Sequence, residues 1–270
     1  MEVNPFASIA HLYVYVIAAG LALSRILGVM AVLPAFTRLG VTGILRNGIA
    51  LAVSIPMIPA IAATLGTEPL TVGKIAALSF KEIVVGVVVG LILGVPFWAA
   101  EAAGGILDLQ RGASFAMLED PDAVSETSVT GTILAVAIIV LYYASGGLFM
   151  TLRTLYESYD IWPLGRFLPL FGPEAGHLLL SLLDELFAMG LMLIGPIVVC
   201  LFVADILLAL VSRAAPHFNV FALSLAVKNL VFATLLVLYS GFLGTYMSRD
   251  LSTLLGASSW LETLGRAKGP

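Results

Sequence analysis

The chain has 270 residues, of which 60% are hydrophobic and only 11% charged, and its mean hydropathy is +1.06. Soluble domains carry roughly 25% charged residues, so this composition excludes an ordinary soluble fold and predicts an integral membrane protein. The net charge of −4, with 13 Lys and Arg, provides no basic patch and argues against nucleic acid as a partner.

Six apolar segments follow one another along the chain, each near the roughly 20 residues that a spanning helix needs. None alternates polar and apolar residues as a membrane strand would, so we predict an all-α membrane protein. The segments are 12–36, 44–65, 75–100, 129–150, 186–211 and 220–247. Prolines inside them or at their ends predict kinks or broken helix ends, namely Pro34, Pro56, Pro59, Pro96 and Pro196.

Five of the six segments contain at least one ionisable side chain. Each charge within the hydrocarbon costs at least ~2.5 kcal/mol, so lipid-facing helices would not carry so many. We therefore expect these side chains to face a protein interior, a wet pore or a partner subunit. They are Arg25, Arg46, Lys81, Glu82, Asp205 and Lys228.

Enzyme chemistry has little support in the sequence. The three histidines have no metal-ligand spacing to one another, to the cysteine or to an acid. The third segment is rich in glycine but lacks the Lys-Ser/Thr ending of a phosphate-binding loop. Gly86, Gly90 and Gly94 recur every four residues, which predicts close helix packing. We expect no catalytic, metal or cofactor site.

The stretch "EAAGGILDLQRGASFAML" (101–118) follows the third segment and places small and charged residues on one side of a helix. Asp108 and Arg111 are three residues apart and are able to pair. One interpretation is a packed helix crossing with satisfied charges. The other is a helix that contacts partner subunits or lines a polar conduit. The residues of this polar face are Glu101, Gly104, Gly105, Asp108, Gln110, Arg111 and Gly112.

A second charged contact is predicted around "SRAAPHFNVFALSLAVKN" (212–229). Arg213 closes the fifth helix at its negative end, and Asn219 caps the sixth. Lys228 lies about two and a half turns into that helix, and Asp205 is its partner by chemistry. The alternative is that Lys228 snorkels to water from a lipid-facing helix.

The adjacent charges Lys81 and Glu82 lie within the apolar third segment and therefore also need partners there. They lie on different faces of one helix, so we expect each to be able to meet a different neighbour.

Several strings occur in an order that resembles the SctT/FliR family of type III secretion export-apparatus proteins. They are "LRNGIA", "KEIVVGVVVG", "PFWAAEAAGGILDLQRGASFA", "SETSVTG", "YYASGG", "WP" and "SRAAPHFNVFALSLAVK". They extend from about residue 25 to 230. The form "LQRG", where flagellar members have "LQMG", is similar to the injectisome branch. Ala226 stands where many relatives have proline, so a kink there would be softer.

The resemblance implies bent helical hairpins that look like a fusion of SctR-like and SctS-like subunits. It implies one membrane-embedded export-gate domain over 1–270, with 248–270 as a short amphipathic or frayed tail. Members are multi-pass proteins of the bacterial inner membrane at the base of the needle complex. Their gate conducts unfolded proteins, with energy from a separate ATPase and the proton motive force.

The partners that the resemblance implies are SctR-like and SctS-like subunits, a SctU-like switch protein, the inner rod or needle base, secreted polypeptides and membrane lipid. The two charged contacts would then serve intersubunit pairing and gate structure. The alternative from another class is a secondary transporter for a small solute, whose intramembrane charges would form coupling and substrate sites.

Overall fold

The computed structural model describes residues 5–40, 43–66, 70–112, 128–164, 175–215 and 220–265. All regular elements within these ranges are helices, which confirms the all-α prediction. Five described helices are long and apolar enough to cross a membrane, or six spans if one bent pair counts as a span. The number therefore agrees with the six apolar segments.

The helices are numbered in chain order. They are α1 (Pro5–Val32), α2 (Pro34–Thr37), α3 (Gly43–Ser54), α4 (Ile58–Leu65), α5 (Val72–Gln110), α6 (Val129–Ala144), α7 (Gly147–Ile161), α8 (Ala175–Ala214), α9 (Val220–Ser252) and α10 (Ala257–Gly265). Short 3₁₀ turns, Ile55–Met57 and Thr253–Gly256, precede α4 and α10.

Two apolar segments differ from their predicted form. The fourth is wrong as one continuous helix over 129–150, because α6 ends at Ala144 and α7 begins at Gly147. Gly146 between them has φ +78°, a left-handed conformation that only glycine adopts at little cost. The third continues through Pro96 to Gln110, so most of the polar stretch 101–118 lies within α5.

The described residues fall into two compact units. The first lies within Met1–Val95, Gly146–Leu182 and Thr253–Pro270, and the second within Pro96–Ser145 and Leu183–Ser252. Both α5 and α8 contribute residues to each unit.

In the first unit, α1 packs against α3, α4 and the N-terminal half of α5, and α10 packs against α7. A Cβ on Gly28 would lie 2.5 Å from the carbonyl oxygen of Ile83, and a Cβ on Gly86 would overlap the carbonyl of Arg25. A Cβ on Gly90 would lie 3.1 Å from the Val29 carbonyl oxygen. Close packing is thus confirmed at Gly86 and Gly90.

In the second unit, the C-terminal part of α5 packs against α6 and α8, and α6 packs against α9. The Phe97 and Tyr142 rings meet edge to face, with centroids 5.3 Å apart. The outer side of α8 is strongly apolar, with Phe187, Met192 and Phe202 exposed. Such a surface suits lipid or a neighbouring membrane protein.

Candidate functional site

Asp108, near the end of α5, binds the N-terminus of α6. Its carboxylate accepts hydrogen bonds from the Ser128 and Thr130 hydroxyls, and from the Thr130 backbone amide at 3.0 Å. Ser128 is the N-cap of α6, because its Oγ also accepts from the Gly131 amide at 2.8 Å. The first amides of a helix lack intrahelical partners and form its positive end, so a carboxylate there stabilises the helix.

Arg111 forms the predicted pair with Asp108 and extends it to α9. Its Nη2 lies 2.7 Å from Asp108 Oδ1, and its Nη1 donates to Asn229 Oδ1 at 3.2 Å. The guanidinium carbon lies 4.7 Å from the centroid of the Phe232 ring, within cation–π range. We call Asp108, Arg111, Ser128, Thr130 and Asn229 the Asp108 cluster. It joins α5, α6 and α9.

Lys228 has the partner that its chemistry predicted. Its Nζ lies 2.7 Å from Asp205 Oδ1 and donates to the Gln110 carbonyl oxygen at 3.1 Å. That carbonyl belongs to the last residue of α5, where a cation is favourable. The Lys228 side chain is only 15% exposed, so the alternative of snorkelling to water does not hold. This contact joins α5, α8 and α9.

The glycines of the polar face have different surroundings. A Cβ on Gly104 would overlap the backbone of Thr130 and Gly131, whereas one on Gly105 would meet no atom within 4 Å from the other described parts of the chain. Gly112 has φ +80° and follows α5, as helix-terminating glycines commonly do. Glu101 is half-buried, and its carbonyl oxygen lies against Gly131.

Arg213 and Asn219 are the other two residues of the predicted second charged contact. Arg213 lies in the last turn of α8, as predicted, and its side chain is exposed. The predicted cap Asn219 falls outside the described residues.

Among the described residues, a fully buried polar group in the first unit centres on Arg25. Its side chain is 0% exposed, and its Nε donates to Glu82 Oε2 at 2.6 Å. The two terminal nitrogens donate to Ser158 Oγ at 3.0 Å and to the Trp162 carbonyl oxygen at 2.9 Å. The guanidinium also covers the Tyr159 ring, 3.7 Å from its centroid. We call Arg25, Lys81, Glu82 and Ser158 the Arg25 cluster.

Lys81 and Glu82 each meet a different neighbour, as expected, since Glu82 binds Arg25 of α1 and Lys81 binds carbonyls after α7, and the two also pair with each other within one cluster. Lys81 Nζ lies 2.8 Å from Glu82 Oε1 and donates to the Pro163 carbonyl oxygen at 3.0 Å. Arg25 and Lys81 thus bind two carbonyls that follow the end of α7. Burial of three charges is tolerated because each has an opposite charge or an acceptor.

Arg25 was predicted to be an intramembrane charge, but the sequence did not assign it to a site. Its partners lie 57, 133 and 137 residues away, so no local spacing reveals them. The sequence contained one indication of the cluster. Arg25 is the one charged residue of the first segment, and a buried cation requires an anion from another helix.

Chemically, both clusters hold helices together. Their carboxylates and cations bind one another and the backbone at helix ends. Among the described residues, no group of three or more His, Cys, Asp or Glu side chains could hold a metal ion.

Comparison with known proteins gives consistent matches along the chain. A family model described as bacterial export proteins, family 1, matches residues 16–254. The Yop proteins translocation protein T of Yersinia pestis is 31% identical over 89% of this chain and 92% of its own length. The surface presentation of antigens protein SpaR of Salmonella typhimurium is 31% identical over 93% of each chain. The flagellar biosynthetic protein FliR of Caulobacter vibrioides is 24% identical over 87% of this chain. The higher identity to the secretion proteins agrees with the branch that the "LQRG" string indicated.

Proposed function

This chain belongs to family 1 of the bacterial export proteins, and we propose that it is a non-enzymatic structural component of a type III secretion export gate. In this role it assembles with SctR-like and SctS-like subunits into a conduit for unfolded polypeptides across the inner membrane. The observation that carries the proposal is the family match over 16–254, which includes both charged contacts.

The Asp108 cluster supports a structural role within the gate. It binds α5, α6 and α9 through contacts inside one chain, and Lys228 adds α8. A conduit component needs its helices held in fixed positions while a polypeptide passes. Charged contacts are suited to this, because inside an apolar helix bundle they are satisfied only in one arrangement.

A neighbouring face of α5, which includes Gly105 at the edge of the polar face, supports contact with a partner subunit. Ala102 and Leu109 are exposed, and Gly105 has open space where its Cβ would be. These residues are three and four positions apart, so they lie on one face of the helix. Small residues there allow another helix to approach closely. We assign this face to a SctR-like or SctS-like subunit.

The remaining assignments follow from the same role. The chain would act as a single export-gate domain, multi-pass in the inner membrane at the base of the needle complex. A SctU-like switch protein, the inner rod or needle base and secreted polypeptides would be its other neighbours.

Deletion and affinity purification test the proposal. Deleting the gene should abolish secretion while substrate synthesis continues. A tagged chain should co-purify with two smaller membrane proteins, and Gly105→Leu should weaken that co-purification. Gly241→Leu is the matched control, because it adds the same side chain to α9 at a glycine that also has open space. Secretion that persists in the deletion strain would refute the proposal. Solute transport by an isolated homodimer would instead support the transporter alternative.

A further inference from the structure

In the first unit, two candidate membrane spans end at the same turn of the chain. The span Leu12–Val32 stops just before α2, and the span Gly43–Leu65 begins with α3. We call residues 38–40 and 43–46, which flank this point, the α2–α3 turn. Because the ends of both spans meet here, the turn lies at the level of the lipid headgroups.

The exposed side chains of the α2–α3 turn are mostly apolar. Ile44 is 92% exposed, Leu45 62% and Leu39 54%. Ile44 also begins an exposed apolar stripe that continues through Leu51 to Ile55, seven and eleven residues further on, and these spacings place all three on one face. A face that runs from the turn along the span suits acyl chains better than water.

Two arginines belong to the same turn. Arg38 is exposed and directly follows α2, and Arg46 is the fourth residue of α3 and half-buried. The first turn of α3 contains no acidic residue. The start of a helix is its positive end, where a cation is unfavourable and an anion is favourable. Arg46 at this position is therefore stabilised by negative charge from outside α3.

The helices packed around the turn supply no spare anion from their described residues. The sequences of α1, α2, α3 and α4 contain no aspartate or glutamate. On α5, Gly90 packs against Val29 near the end of α1, and the nearest acid to that contact is Glu82. Its carboxylate already binds Arg25 and Lys81, so the Arg25 cluster adds positive rather than negative charge.

The acids of α7 are also engaged or lie further away. Tyr156 donates to the Val53 carbonyl oxygen at 2.9 Å, so α7 contacts the C-terminal part of α3. Glu157 beside it binds Arg153 at 2.7 Å. Asp160 lies further along α7, beside α4. The described neighbours therefore leave the α2–α3 turn with a net positive charge.

We propose that the α2–α3 turn docks onto anionic phospholipid, such as phosphatidylglycerol, at the membrane surface. Arg38 and Arg46 bind the phosphodiester, and the acyl chains cover Ile44 and Leu45. The surface needs net negative charge and acyl chains in one molecule, and neither a free phosphate nor a zwitterionic lipid supplies both. The site does not depend on the proposed export function, because every group that it uses lies within the first unit.

Native mass spectrometry of the purified full chain in detergent tests the site. The chain is titrated with palmitoyl-oleoyl phosphatidylglycerol or with the phosphatidylethanolamine of the same chains. We expect phosphatidylglycerol to be retained in preference. Arg46→Gln should weaken its binding roughly fivefold, the effect of one basic residue at an anionic surface. Arg153→Gln is the matched control, because it removes the same charge from the same unit at a site where Glu157 already compensates it.

Two further variants keep the test decisive if Arg46→Gln folds poorly. Arg38→Gln is an exposed change and should weaken phosphatidylglycerol binding by a similar factor. Ile44→Ser should weaken the binding of both lipids but leave the preference between them, because the two arginines remain. Equal retention of both lipids by the unchanged chain, as expected if the arginines only reach into water, would overturn the proposal.

The assembled complex supplies the last test of the occupant. A photoreactive benzoylphenylalanine at position 44, in place of the exposed isoleucine, should form adducts with lipid. Adducts with another protein subunit would show that a partner covers the turn, and would also overturn the proposal.

Discussion

The backbone of Gly131 occupies the space that a Cβ on Gly104 would need. The contact brings α5 and the first turn of α6 together at backbone distance. It lies one helical turn before Asp108, which binds the same turn of α6 through its carboxylate. The glycine and the carboxylate therefore depend on each other, because Asp108 reaches the α6 amides only where the two backbones are this close.

We predict that Gly104→Ala lowers thermal stability in detergent and Gly105→Ala does not. The added methyl of Gly104→Ala meets backbone that cannot move aside, and overpacking of this kind costs about 1–3 kcal/mol. The neighbouring glycine is the matched control, because its Cβ would enter open space. Equal melting temperatures for the two variants would show that the α5–α6 approach is looser than described.

A double-mutant cycle on Asp108 and Arg111 should show coupling. Asp108→Ala is expected to cost about 2–3 kcal/mol, because the Ser128 and Thr130 donors then lose a charged acceptor. Arg111→Ala should cost less, since its side chain is 18% exposed and partly screened, against 8% for Asp108. The double variant should cost less than the sum, by about 0.5–3 kcal/mol. Thermal unfolding in detergent measures all three variants.

Strict additivity in that cycle would mean that the ion pair contributes nothing beyond its separate contacts. Asp108→Asn serves as the conservative control, because it keeps the shape and one acceptor oxygen while removing the charge and replacing the other oxygen with a donor. If the hydrogen bonds to the first turn of α6 contribute more stability than the ion pair, Asp108→Asn should retain part of the stability that Asp108→Ala loses.

Residues close in sequence were the easiest to predict. Asp108 and Arg111 lie three apart, and helical periodicity alone places them together. The Asp205–Lys228 pair was predictable from chemistry, since two opposite charges in adjacent apolar helices need partners. The Arg25 cluster was not predictable, because hydropathy does not reveal which helices are neighbours. Its members come from α1, α5 and α7.

Helix ends were predicted less well than helix existence. The apolar run across "YYASGG" continues past Ala144, but Gly146 adopts φ +78° and ends the helix there. The opposite is true of the third segment, which was predicted over 75–100. There α5 continues through Pro96 and ends only at Gln110. Neighbouring helices can stabilise a helix that contains a proline, and sequence periodicity does not contain that information.

Arg25 should not be replaceable by lysine. One ammonium cannot reach Glu82, Ser158 and the Trp162 carbonyl together, whereas the guanidinium binds all three. We expect Arg25→Ala to cost about 3–5 kcal/mol, because it leaves Glu82 buried with one partner fewer, and Arg25→Lys to recover only part of this. Arg153→Lys is the control, since its exposed pair with Glu157 contributes little. Similar melting temperatures for Arg25→Lys and the unchanged chain would contradict the three-way contact.

Exchanging the charges of Asp205 and Lys228 tests whether secretion needs only the ion pair or needs the lysine at position 228. Lys228→Met should reduce secretion, because it leaves Asp205 and the Gln110 carbonyl without their cation. Arg213→Met, at an exposed site on α8, is the control and should secrete normally. Combining Asp205→Lys with Lys228→Asp should restore secretion in part, since the ion pair returns but the Gln110 contact does not. No recovery would indicate that Lys228 acts mainly through the α5 carbonyl.

The C-terminal helix α10 should be needed for the stability of the first unit. Leu261 and Leu264 are almost fully buried, and Gly265 fits against Ile161 of α7 so closely that a Cβ would overlap it. Leu261→Ala should cost about 2–5 kcal/mol, as large-to-small changes in packed cores do. Thr263→Ala, two residues along and exposed, should leave the melting temperature unchanged.

Because α7 also supplies Ser158 to Arg25, loosening of α10 should make the first unit more sensitive to protease. Limited proteolysis of the two variants measures this directly, and equal digestion rates would show that α10 stabilises nothing beyond itself.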